Sequence, residues 1–434
     1  MKKILLFSLV FVAALLPTAC SRNNPDAGKA DYTLIVYGNV GGRMDNLIED
    51  VWAETQALLT DKRVRVFCVH KYGKPDGFVG KYGEPGEVLS FELDKDTRFE
   101  DLSGQGTVGK DFPLYEPYSL KTVLNWAKEV APAKEYVLTL FGHGGGFDAN
   151  VDFPKNAAKG VLYDDWWEGR IGMDMYELTE AIRESDIPHL KALFFHNCLM
   201  GGMESMMEVQ PYADYIIATP FLMTSEDNPM IPLLVKNLRA GLDVEKALRN
   251  TIIECKDRII NGFRHEDPDD MNGNEALVKS SELTAVCTAT RKLTERLCTL
   301  YPTRREAIDA ATNKAYRFFN RRPYFDLLDY AQALAEETGD AQLQSIGREL
   351  ENAFGRAILE QITAEMKKET ALPAYSLSVV LVDHETFDKE VPNTTHTYRQ
   401  AYEYTEFHRL TQWGQWLDLN QQLPTGNPCG QVIK

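Results

Sequence analysis

The sequence predicts an α/β fold, a mostly parallel sheet flanked by helices, followed by a mainly helical C-terminal region. Three observations predict it. The first half alternates short β-branched and aromatic runs with helically spaced segments, the pattern of βαβ units. Two apolar runs end abruptly in a polar residue set among glycines, Phe141-Gly142-His143-Gly144-Gly145-Gly146 and Phe194-Phe195-His196-Asn197-Cys198-Leu199-Met200-Gly201. Strands that stop in this way deliver ligand-binding residues to the carboxyl edge of an open sheet. From residue 231 to about 362 the apolar spacing changes to steps of three and four residues, which is helical.

Taken in order, residues 32–37 form a β-branched strand, 44–59 a helix, 64–69 and 88–93 short strands, and 120–130 a helix. Residues 136–141 are the strand that ends in the histidine loop. A helix over 174–184 leads to a strand over 192–195, and 201–209 turns helical after the cysteine. Residues 215–218 are a further strand, and 376–382 return to strand character. The expected core spans residues 31–230, and the helical region, 231–434, contributes a late strand to its sheet. Parallel strands joined through helices cross over with a right hand.

Composition limits the function classes. The chain has 434 residues, 44% of them hydrophobic and 26% charged, an ordinary balance that supports a sizeable core. The net charge of -17 and the lack of a basic stripe argue against nucleic-acid binding. The charge reads first as a solvated acidic surface.

The N-terminus carries Lys2 and Lys3, an apolar run over 4–16, and Pro17-Thr18-Ala19-Cys20. This is the layout of an export signal, and the apolar run is too short to span a bilayer comfortably. Cysteine directly after Ala19 resembles a bacterial lipoprotein signal. Residues 1–19 are then a signal peptide, Cys20 the lipidated first mature residue, and 20–30 a tether. The expected location is the bacterial cell envelope, as an outer-membrane or surface lipoprotein, or secreted if Cys20 is not lipidated.

Of seven cysteines, six remain after Cys20: Cys68, Cys198, Cys255, Cys287, Cys298 and Cys429. An even count in an exported chain invites disulfides. The irregular spacing and the apolar surroundings of Cys68, Cys287 and Cys298 favour buried thiols instead. No C-x-x-C pair occurs.

One strand end supplies an imidazole, His143, and the other a thiol, Cys198, which is the kit for a cysteine nucleophile with a histidine base. Attack on an amide carbonyl needs donors for the developing oxyanion, and the backbone N–H groups of Gly144 and Cys198 are the candidates. The bland alternative is a buried cysteine and an unrelated glycine turn. Cys198 lies 55 residues after His143, close to the spacing of roughly 50 known for caspases.

These segments resemble the clostripain family of cysteine peptidases, within the caspase-like (caspase-hemoglobinase) superfamily. The likeness rests on Gly142-His143-Gly144, Gly160-Val161-Leu162-Tyr163-Asp164-Asp165, Met175-Tyr176-Glu177-Leu178, Cys198-Leu199-Met200-Gly201, residues 203–218 and the Tyr-rich region ending at Trp413. It implies a caspase-like fold, endopeptidase activity and a His143–Cys198 dyad. The family usually carries aspartate two residues before the nucleophile, flooring a pocket for arginine or lysine. Here that residue is His196, so the resemblance leaves trypsin-like specificity unsupported. Glu226 or Asp227 could supply a charge to the pocket, or be ordinary loop acids. Some members are cut between the two catalytic strands. Residues 150–160 occupy that place, with Lys155 and Lys159 as candidate processing points, and also read as an ordinary surface loop.

The likeness implies a peptide or protein substrate and membrane contact through the N-terminal lipid. No organic cofactor is expected, and the chain is expected to be monomeric. Some relatives respond to calcium, but the acidic cluster over 266–270 lacks EF-hand spacing and no metal site is assigned. After Tyr37, Gly38-Asn39-Val40-Gly41-Gly42-Arg43 hints at phosphate binding but matches neither G-x-G-x-x-G nor the P-loop and reads better as a turn. His143-Gly144-Gly145-Gly146 matches an esterase oxyanion motif, yet the G-x-S-x-G elbow is absent. The remaining rival is a lipid-anchored, catalytically silent peptide or glycan binder on the same fold.

Overall fold

The computed structural model describes residues 29–39, 41, 45–104, 108–147, 161–164, 166, 171–221, 229–262, 272–273, 275–318, 323–362, 364–365, 377–390, 397–422 and 427–428. Cys20, Lys155, Lys159, Glu226, Asp227, Cys429 and the acidic cluster over 266–270 lie outside the described residues.

The first half runs β1 (Ala30–Asn39), α1 (Asp45–Gln56), β2 (Val64–Lys71), β3 (Val88–Leu93), α2 (Pro117–Val130), β4 (Ala133–Gly142), β5 (Val161–Asp164), β6 (Ile171–Met173), α3 (Met175–Glu184), β7 (Leu190–His196), α4 (Met203–Val209) and β8 (Ala213–Ala218). The second half runs α5 (Met230–Arg239), α6 (Val244–Gly262), β9 (Asn272–Gly273), β10 (Ala276–Lys279), α7 (Leu283–Lys314), β11 (Tyr316–Arg317), β12 (Tyr324–Asp326), α8 (Leu327–Thr338), α9 (Ala341–Ala357), β13 (Ile358–Gln361) and β14 (Ala364–Glu365). It closes with β15 (Ser378–Val380), α10 (His384–Phe387), α11 (Tyr398–Glu403), α12 (Glu406–Thr411), α13 (Trp413–Leu419) and β16 (Asn427–Pro428).

The central sheet has the order β13-β10-β8-β7-β4-β1-β2-β3. Strands β8, β7, β4, β1 and β2 pair in parallel, and β3, β10 and β13 add antiparallel margins. The mostly parallel α/β fold expected from the sequence is therefore observed. Its central strands read as near-continuous apolar runs because both faces are covered. On β1, Ile35 and Tyr37 join a core with Leu120 and Leu124 of α2 and Leu178 and Ile182 of α3. Leu34 and Val36 face the opposite core, with Trp52 of α1, Leu234 of α5 and Leu248 of α6. Helix α3 starts where its capping box dictates. The Asp174 carboxylate accepts from Glu177 N at 2.8 Å, and Glu177 accepts from Asp174 N at 2.9 Å.

Gly38, the first glycine after Tyr37, has a packing reason. A Cβ on Gly38 would lie 1.7 Å from the Phe141 carbonyl oxygen, so only glycine lets the ends of β1 and β4 approach this closely.

The expected late strand is realised differently. Two strands from the second half join the main sheet, β10 against β8 and β13 against β10. Residues 378–380 pair with β12 in a separate four-stranded sheet, β15-β12-β11-β16. The four-residue strands β10 and β13 abut long helices, and neither is long enough to stand out from a helical background. The C-terminal segment is held by large buried rings. Trp413 and Trp416 are fully buried, and Trp413 Nε1 donates to Val380 O at 2.8 Å.

Among the described cysteines all are free thiols, in line with the sparse spacing. Burial raises the thiols of Cys68, Cys287 and Cys298, Cys287 to about 12. Their surroundings disfavour the thiolate, and Cys298 is only half-buried.

Candidate active site

β4 and β7 are neighbours, and their register pairs Phe141 with His196. His143 and Cys198 each stand two residues beyond that shared rung. Parallel neighbours lie about 4.8 Å apart, so the register delivers both residues to one stretch of the carboxyl rim. The two loops touch through their backbones. A Cβ on Gly144 would sit 2.4 Å from Cys198 O and 2.8 Å from Asn197 Cβ. Any side chain at 144 would push the loops apart. His143 is exposed and Cys198 half-buried.

The turn that carries the thiol is conformationally unusual. Leu199 has φ of +62°, a left-handed conformation that costs a branched residue about 1–2 kcal/mol. Leu199 N donates to Phe221 O at 2.8 Å and Gly201 N to Thr219 O at 2.7 Å, which ties the turn to the chain leaving β8. On the far side Ser378 N donates to Gly201 O at 3.0 Å, so β15 packs on the loop that follows Cys198. Strain held by its surroundings in this way is a common mark of a functional turn.

The histidine loop is braced from three sides. Asn197 Nδ2 and Leu162 N donate to His143 O at 3.1 and 3.2 Å. Tyr324 Oη donates to Gly145 O at 2.8 Å. Leu162 belongs to β5, and β5 is fixed by a fully buried ion pair, Lys71 Nζ to Asp164 Oδ2 at 2.8 Å. Lys71 Nζ also donates to Phe112 O at 2.9 Å, and Trp166 N donates to the other Asp164 oxygen at 3.1 Å. A buried pair satisfied on this scale repays much of its desolvation and fixes geometry.

His196 lies 5% exposed, stacked on Phe141 at 4.5 Å between centroids and edge-on to Phe194 at 5.3 Å. Two residues before Cys198 the chain thus places an imidazole enclosed by aromatic rings. Sequence reasoning missed Asn197, Leu199, Tyr324 and the Lys71–Asp164 pair. For Asn197 the available signal was an amide set between His196 and Cys198 in the second strand-end motif; for the others the partners are too distant in sequence to be read. Among the described residues no group of His, Cys, Asp or Glu could hold a metal ion. No described helix is long and apolar enough to cross a membrane.

Comparison with known proteins gives the family and the fold. The clostripain family model covers residues 83–419, which include both strand-end motifs and the C-terminal segment. The chain belongs to the clostripain family. It is accordingly a cysteine-type peptidase. No curated protein sequence matches it. Among solved structures it is similar to a secreted C11 cysteine protease from Bacteroides thetaiotaomicron bound to an irreversible peptide inhibitor, at 15% identity and TM-score 0.60. That match covers 88% of this chain and 99% of the other. It is similar too to an inactive zymogen C11 protease from Parabacteroides distasonis, at 14% identity and TM-score 0.59, covering 88% and 98%. At these identities the likeness is one of fold.

Proposed function

We propose that this clostripain-family peptidase is an endopeptidase whose nucleophile is Cys198 and whose general base and acid is His143. The observation that carries the reading is the shared register of β4 and β7, with the Gly144 backbone pressed against Cys198 O. His143 takes the thiol proton, and the sulfur adds to the substrate carbonyl carbon. The carbonyl π pair moves onto oxygen, beside the N–H groups of Gly144 and Cys198. Collapse of the intermediate expels the amine, which receives the proton from the imidazolium. Water then hydrolyses the thioester and regenerates the thiol.

The specificity reading rests on His196. His196, enclosed by Phe141 and Phe194, offers no carboxylate to a basic side chain. Glu226 and Asp227 remain candidates for a pocket charge, and Lys155 and Lys159 for processing. A quenched-fluorescent peptide library cleaved by the wild-type protein is expected to give a profile in which neither arginine nor lysine dominates before the cut. A profile dominated by either residue would contradict the reading of His196.

The N-terminal signal supports tethering to the bacterial cell envelope through a lipid on Cys20. Mass spectrometry of the native mature N-terminus is expected to find diacylglycerol there. An unmodified Cys20 would leave a secreted enzyme.

A further inference from the structure

The peptide joining His143 to Gly144 is held through its carbonyl edge. Its carbonyl oxygen accepts from Asn197 Nδ2 at 3.1 Å and from Leu162 N at 3.2 Å. In a trans peptide the N–H points opposite to the carbonyl. Fixing His143 O against Asn197 and β5 therefore fixes the direction of Gly144 N–H on the other edge. That N–H makes no hydrogen bond among the described residues. Asn197 is 1% exposed, and an acceptor at His143 O requires the amide nitrogen, not the oxygen, to face it. Asn197 Oδ1 has no partner among the described residues, so one hydrogen bond accounts for the polar side chain at this buried position. Burying an amide costs free energy unless it is used.

We propose that Asn197 is a positioning residue that aims the oxyanion donor Gly144 N–H through its hydrogen bond to the His143 carbonyl. This rests on the dyad reading above and adds to it a group that acts through the His143 carbonyl. The residue adjacent to the nucleophile in sequence thereby sets the donor on the neighbouring loop. The two halves of the site are coupled by one side chain.

The test separates oxyanion chemistry from thiol chemistry. Amide hydrolysis places negative charge on the substrate oxygen. Alkylation of Cys198 by iodoacetamide does not, because sulfur bonds to the methylene carbon as iodide leaves with its electron pair. For Asn197→Ala, kcat on a quenched-fluorescent peptide library is expected to fall about 10- to 100-fold, less than the loss of a whole oxyanion donor. KM and the iodoacetamide rate should stay within about threefold of wild type. Asn197→Asp gives a second readout in case the alanine variant does not fold. The carboxyl group this variant introduces can donate to His143 O when protonated and cannot when ionised. The ratio of Asn197→Asp to wild-type activity should therefore rise as pH falls from 8 to 5.

Equal losses of alkylation and hydrolysis, unchanged hydrolysis in Asn197→Ala, or a pH-independent Asn197→Asp ratio would each overturn the assignment. Failure of the dyad reading looks different. Cys198→Ala would then retain hydrolysis, whereas failure of this inference alone leaves Cys198→Ala inactive.

Discussion

Replacing Cys198 by alanine is expected to lower peptide hydrolysis by about 10⁴-fold or more, to the level left by binding and oxyanion donors alone. The protein should remain folded. Cys198 is half-buried, and its loop is held by backbone hydrogen bonds from Leu199 and Gly201 that do not involve the thiol. His143→Ala should cost a comparable amount, because residues acting as one unit lose nearly everything when either is removed. Retained turnover in the folded Cys198→Ala protein, measured on the same peptide library, would favour a silent binder with a contaminating activity.

The second large effect is on stability and concerns Glu204. It lies in the first turn of α4, just after the Cys198 loop, and is buried. Its Oε1 accepts from Val380 N at 3.0 Å and from Tyr402 Oη at 2.7 Å, so it joins β15 and α11 to the helix behind Cys198. Burial pushes its carboxyl up to about 7 from an ordinary 4.5, and these hydrogen bonds only partly offset the rise. The sign follows by linkage. Between pH 4.5 and 7 the folded protein holds a proton that the unfolded chain has released. Stability from this group is therefore lost as pH rises through that window and is level above it. The full difference is on the order of 3 kcal/mol.

Glu204→Gln keeps the accepting oxygen and cannot ionise. It is expected to be more stable than wild type by on the order of 3 kcal/mol at about pH 8, with the gap closing by about pH 4.5. Urea unfolding at the two pH values measures it, and a gap that does not change with pH would refute the account of Glu204.

Local pattern explains what the sequence disclosed. The strand ends at Phe141 and His196 were readable because each apolar run stops at a polar residue among glycines, and the observed register places those ends side by side. Helix α3 was readable because Asp174 and Glu177 cap it within a single turn. Strands β10 and β13 were not, since four residues beside long helices carry too little periodicity. The supports of the site escaped for a different reason. Lys71 and Asp164 are 93 residues apart, and Tyr324 reaches Gly145 across 179, so neither contact leaves a local trace. Leu199 in a left-handed turn contradicts its own propensity, and the bonds of Leu199 N to Phe221 O and of Gly201 N to Thr219 O help hold it.

The dyad is tested most directly by the pH dependence of Cys198 alkylation by iodoacetamide in wild type and His143→Ala. With His143 beside the sulfur, wild type should react rapidly down to about pH 6, and His143→Ala should follow an ordinary thiol with a midpoint near roughly 8.5. Superimposable curves for the two proteins would mean that the imidazole at 143 does not act on the sulfur at 198.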